Sequence, residues 1–194
     1  MSLARNPTDL ALACGRGCNY CCHTFVSVLA PEVFRVAAWL RVHQVDCISD
    51  LIQATDATAN LDLDQRHGAH FPCPLLKNGE CSVYSVRPLV CRKAASPSVD
   101  ACRVEFDGGA VGVQMPAVNI SFTGDVNLAM LVALRSTGLP DASYEFSAAL
   151  AAALVDPNTE RDWLSGRDLF AGVYQEAPPD GLHSMVSTLA RELA

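Results

Sequence analysis

The stretch from Ala13 to Phe25, ACGRGCNYCCHTF, puts Cys14, Cys18, Cys21 and Cys22 within nine positions, the last two adjacent. Cys18 and Cys21 form a Cys-x-x-Cys pair, a spacing that lets the chain curl around one metal ion with backbone N–H groups turned towards sulfur. Thiolates are soft donors that suit zinc, iron–sulfur clusters or copper(I), whereas magnesium and calcium prefer oxygen. The adjacent pair is harder to place. Neighbouring side chains point to opposite faces of extended backbone and diverge by roughly 100° around a helix. Cys21 and Cys22 are therefore poor partners on one mononuclear ion. Each serves a different site, or one is a spare or reactive thiol, or both face a larger cluster.

Outward from this stretch, Cys73, Cys81, Cys91 and Cys102 make a second, looser group, and no cysteine follows Cys102. CPLLKNGECSVY (73–84) carries two short apolar arms around Asn78-Gly79, a strong turn dipeptide, and predicts a small hairpin that brings Cys73 and Cys81 together. Pro88 suits the first turn of a helix containing Leu89, Val90 and Cys91. Setting Cys47 aside leaves eight cysteines, the arithmetic of two four-thiolate sites, and equally of one iron–sulfur cluster with several non-ligands. Cys47, on an apolar helix face, reads as a small hydrophobe. His23 could replace one thiolate; His67 and His70, just before Cys73, either complete a mixed site or, as loop histidines more often do, face solvent, and they stay outside the expected ligand set. Arg16, Arg87, Arg92 and Lys93 lie beside the cysteines. They either compensate sulfur charge and cap carbonyls or, for Arg87 and Arg92, hold an anionic substrate beside the metal.

The remaining pattern is mostly helical. TFVSVL (24–29) alternates and predicts a short strand or extended segment. Pro31 and Glu32 open PEVFRVAAWLRVH, where Val33, Val36, Ala37 and Leu40 recur at helical spacing. CISDLIQATDATA (47–59) predicts a second helix, and NLDLDQRHGAH (60–70) a connecting loop. After a Gly-rich irregular stretch, GGAVGVQMPAVN, three helices are expected in GDVNLAMLVALRSTG, SYEFSAALAAALVD and HSMVSTLARELA. Tyr84 is expected to pack beside the hairpin, and Trp39 and Trp163 to lie in the core.

Composition narrows the class of protein. The 194 residues are 50% hydrophobic and carry a net charge of −7 without a long basic run, which argues against a general nucleic-acid or anionic-membrane binder. No apolar stretch reads as long enough to span a bilayer, and MSLARNPTDLALACG lacks the pattern of a signal peptide. Nine cysteines without such a signal point to a reducing, cytoplasmic setting, and their odd number precludes complete disulfide pairing within the chain.

The residues CGRGCNYCC, followed by CPLLKNGECSVYSVRPLVCR, resemble the YkgJ-type cysteine-cluster family, the CxxCxxCC proteins described as zinc- or iron-chelating domains. The second half is the more specific: Cys73, Pro74, Leu76, Cys81, Tyr84, Arg87, Pro88, Cys91 and Arg92 stand where that pattern has them. The resemblance covers roughly residues 14 to 105. The gap from Cys14 to Cys18 is three residues where the common pattern has two. A flagellin lysine N-methylase carries a similar cysteine region, although this chain shows no glycine-rich nucleotide loop.

The expectation is a mainly α protein of one domain over 1–194. An irregular Cys-rich metal-binding core with a small β-hairpin, over 14–105, packs with several helices, and 118–194 forms a helical C-terminal extension. The expected metal ligands are Cys14, Cys18, Cys21, Cys22, Cys73, Cys81, Cys91 and Cys102, for zinc or iron, an iron–sulfur cluster included. The function expected is metal binding. The alternatives are a metal-dependent enzyme of redox chemistry or protein modification, and a metal-stabilised interaction module. The expected partners are the metal ion and an unidentified protein or small molecule, with neither nucleic acid nor membrane. No residue is assigned a catalytic role.

Overall fold

The structure is a computed structural model that describes residues 11–43, 45–173, 175–176 and 181–193. The signal-peptide reading concerns a terminus whose first ten residues lie outside these, as does the side chain of His67. The architecture is mainly α, with a small hairpin and a short three-stranded sheet.

Strand β1 (Ser27–Leu29) runs directly into helix α1 (Ala30–Val42), which buries Val33, Val36, Ala37 and Leu40, the residues whose spacing predicts it. Pro31 sits in the first turn, where a missing N–H costs nothing. Glu32 does two jobs there. One carboxylate oxygen accepts from the Leu29 N–H at 3.1 Å, and the other from the Leu89 N–H at 2.7 Å. The entry to α1 is thereby tied to the short helix α4 (Leu89–Lys93) that carries Cys91. Pro88 is the residue just before α4 rather than a member of its first turn.

Helix α2 (Ile48–Thr58) follows, with Cys47 at its N-cap and 1% exposed within the hydrophobic core. The expected loop over 60–70 contains a helix instead, α3 (Leu63–Gly68). Its start is fixed by reciprocal bonds between Asp62 and Gln65, a capping box written in the sequence as Asp-x-x-Gln and hidden by the polarity around it.

The hairpin forms as expected. Strands β2 (Leu76–Lys77) and β3 (Glu80–Cys81) pair with Leu76 opposite Cys81. Asn78 and Gly79 both take positive φ, 52° and 78°, as a two-residue type I′ turn requires. Helix α5 (Val99–Phe106), capped by the Ser98 side chain on the Ala101 N–H, carries Cys102.

Helix α6 (Ala117–Ser136) starts well before the expected GDVNLAM segment and is 20 residues long. Its mean hydropathy of 1.5 over an 18-residue window makes it long and apolar enough, by length and composition, to cross a membrane. That corrects the expectation that no stretch reaches such a length. Val118, Ile120 and Phe122 near its start are exposed, while its later turns pack against α4 and α9 (Leu182–Leu193).

A second correction falls on SYEFSAALAAALVD. Ser143–Glu145 is strand β4, antiparallel to β1 and to β5 (Gln175–Glu176), and helix α7 begins only at Phe146 and ends at Val155. Glu145 caps α7 by accepting from the Ser147 and Ala148 N–H groups. Helix α8 (Thr159–Trp163) places Trp163 in the core, 3% exposed, whereas Trp39 is only partly buried. Helix α7 packs against α1 and α2, and the resulting hydrophobic cluster takes in Leu75 and Val83 from the hairpin region. Burial of these two apolar residues anchors the cysteine-bearing loops to the core.

Candidate metal centre

The first cysteine cluster is an irregular loop followed by a single 3-10 turn, Tyr20–His23. Gly17, at φ 92°, turns the chain between Cys14 and Cys18, and the Cys18 N–H bonds back to the Gly15 carbonyl at 3.1 Å. Three contacts then fasten this loop to the hairpin. Cys73 donates its N–H to the Cys22 carbonyl at 2.7 Å, Asn19 Nδ2 donates to the Gly79 carbonyl at 3.3 Å, and Arg16 pairs with Glu80 at 2.8 Å. The backbone bond joins the two cysteine groups most directly. The Arg16–Glu80 pair is exposed and contributes little.

The fold brings six of the eight expected ligands to one place. Cys18, Cys21, Cys22, Cys73, Cys81 and Cys91 line a cavity of about 60 Å³, closed on its other sides by Val26, Leu75, Val83, Tyr84, Arg87 and Phe146. The remaining two meet at Ser96, which is 1% exposed. The Ser96 N–H donates to Cys14 Sγ at 3.0 Å, and Cys102 lies beside the Ser96 side chain and Cys14. Ser96 is a residue that sequence reasoning passes over, because nothing in AASPSVD marks it as the meeting point.

Electrostatic neighbours divide the thiols further. Cys22, Cys73, Cys81 and Cys91 act on one another: Cys22 faces Cys73 and Cys81, and Cys91 faces Cys73 and Cys81. Cys14, Cys18 and Cys102 form the other set, with Cys18 and Cys102 each facing Cys14. Cys21 faces both sets. Burial pushes the Cys73 thiol up to about 11 and, with the repulsion of Cys73 added, that of Cys91 to about 12. The adjacent pair behaves oppositely. A hydrogen bond from Cys22 lowers Cys21 to about 6, with Arg87 helping, while Cys22 holds its proton far above the ordinary thiol range.

All nine cysteines are free thiols. Among the described residues, no three His, Cys, Asp or Glu side chains are already drawn to the spacing of a coordination shell. The donor set nevertheless fits a thiophilic ion: six soft donors converge on one small cavity, and Arg87 offsets part of the charge that thiolates would bring.

The histidines do not join this set. His23 Nδ1 bonds the Asn19 carbonyl at 3.0 Å and its ring packs edge-on to Phe106, centroids 5.0 Å apart; the His70 ring packs on the same Phe106 at 4.6 Å. Of the basic residues, Arg92 caps the carbonyls of Arg87 and Ser85, as the carbonyl-capping reading expects. Arg87 instead lies over the Tyr84 ring, 4.1 Å from its centroid, at the edge of the cavity.

Cysteines from three separated segments are gathered onto a mainly helical core as one thiol-rich site. Residues 13–107 match the family model described as “CxxCxxCC: Putative zinc- or iron-chelating domain”. No curated protein and no solved structure matches the chain.

Proposed function

We propose that this chain binds zinc or iron at two neighbouring thiolate centres. Cys22, Cys73, Cys81 and Cys91 form the inner one; Cys14, Cys18, Cys21 and Cys102 form the outer one. The observation that carries this reading is the convergence of six cysteines from three chain segments on a single cavity, with Cys14 and Cys102 joined at Ser96 beside it. The division also answers the geometric difficulty of the adjacent pair, since Cys21 and Cys22 then serve different ions. The thiols close by small side-chain movements and lose their protons to solvent as they ligate. A four-thiolate zinc centre is closed and structural, whereas iron in the same setting adds electron transfer, as an iron–sulfur cluster does. The odd number of cysteines, with no disulfide among them, favours a reducing, cytoplasmic setting.

The test is elemental analysis of full-length protein purified anaerobically, beside Cys91→Ser and Cys102→Ser. Each variant is expected to lose about half of the bound metal. A single shared centre would make either variant lose all of it, and would overturn the division.

A further inference from the structure

Beside the thiol cavity lies a larger one, about 570 Å³, between the start of α1, the Ser85–Arg92 segment and the middle of α6. Three arginines line it, Arg35, Arg87 and Arg92, against one carboxylate, Glu32. Both Glu32 oxygens are already engaged by the Leu29 and Leu89 N–H groups. The arginines are not matched in this way. Arg35 makes no hydrogen bond or ion pair with the described residues, and the buried Arg87 Nε likewise has no hydrogen-bond partner among them. Arg92 spends two N–H groups on carbonyls and keeps the rest of its guanidinium available. An excess of positive charge in a concave site is notable on a chain of net charge −7. The rest of the lining includes the apolar Val86, Leu89, Val126 and Met130.

We infer that this cavity binds a small anionic molecule, a carboxylate or phosphate head held by Arg35, Arg87 and Arg92 with a short apolar body against Val126 and Met130. Its volume lies within the range of small-molecule sites, and a planar guanidinium fork suits both head groups. Arg87 and Pro88 line this cavity and the thiol cavity alike, so the anion sits one side chain away from the sulfurs. The inference extends the metal-binding reading by giving the centre a neighbouring ligand, and it holds whichever metal the thiols take.

Calorimetric titration of the full chain as purified, with phenyl phosphate, phenylacetate and the neutral 2-phenylethanol, tests it. At least one anion is expected to bind about tenfold or more tightly than the neutral probe, the loss of one charge-assisted hydrogen bond being of that size. The tighter of the two anions assigns the head group. Arg35→Gln, on an exposed position, and Arg87→Gln are each expected to weaken that binding about tenfold. Metal content measured on the same samples keeps damage at the thiols apart from loss of the anion site. Equal binding of all three probes, no anion binding, or unchanged affinity in Arg35→Gln with its metal retained would overturn the inference.

Discussion

At the level of single residues, the adjacent thiols are chemically unequal. Cys21 is exposed, accepts a hydrogen bond from Cys22 and feels Arg87, so in metal-free protein it is largely ionised at pH 7 while Cys22 stays protonated. Brief iodoacetamide treatment of metal-free protein at pH 7, followed by peptide mass mapping, is expected to label Cys21 before any other cysteine; labelling led by Cys73 or Cys91 would contradict this. The buried thiols set a pH limit of their own. Cys73 and Cys91 ionise in the folded chain only near 11 and 12, against an ordinary value near 9. The folded state therefore holds more protons than the unfolded one between those values. The stability that these two buried thiols contribute is fully present below pH 9 and falls as pH rises towards 12, by roughly 3 kcal/mol for Cys73 alone. Urea midpoints measured across pH 9 to 11 check the sign. The sequence shows which residues are thiols and suggests how they group, but it cannot show Ser96 joining Cys14 to Cys102 across 82 and 6 positions. That contact depends on how α4 and α5 are placed.

Among the elements, the hairpin is the one whose local chemistry alone decides its form. The two-residue turn takes positive φ at both Asn78 and Gly79, the conformation that Asn-Gly favours, and it returns β3 to β2 directly. Replacing Gly79 puts a side chain at φ 78° with Asn19 Nδ2 about 3.5 Å from its Cβ. Gly79→Ala is expected to cost about 1–2 kcal/mol in thermal or urea unfolding and to weaken metal retention, because Asn19, within the first cysteine cluster, hydrogen-bonds the Gly79 carbonyl. Unchanged stability would show that the turn does not hold the loop. Other elements were less legible for specific reasons. Ser143–Glu145 is too short to separate from the apolar helix behind it, and it becomes a strand only because β1 offers an edge. Leu63–Gly68 is concealed by its polarity, although Asp62 and Gln65 announce its start. Glu32 reads as an ordinary first-turn acid. Its second bond, to the Leu89 N–H, is tertiary and carries no local signal.

Across the whole molecule, a hydrophobic cluster built by α1, α2, α7 and α8 supports a cysteine-bearing rim of loops and short helices. Leu75 and Val83 sink into that cluster on either side of the hairpin, so the rim is held before any ion arrives. Metal would then tighten the thiols rather than fold the chain from nothing, in contrast to domains that lack a core of their own. The most direct measurement is the metal content of the anaerobically purified full chain, read by elemental analysis with a visible spectrum and a count of reactive thiols. The account predicts zinc or iron at two equivalents per chain, and thiols that react freely only after chelation. Protein without stoichiometric metal, with all nine thiols equally reactive before and after a chelator, would contradict it.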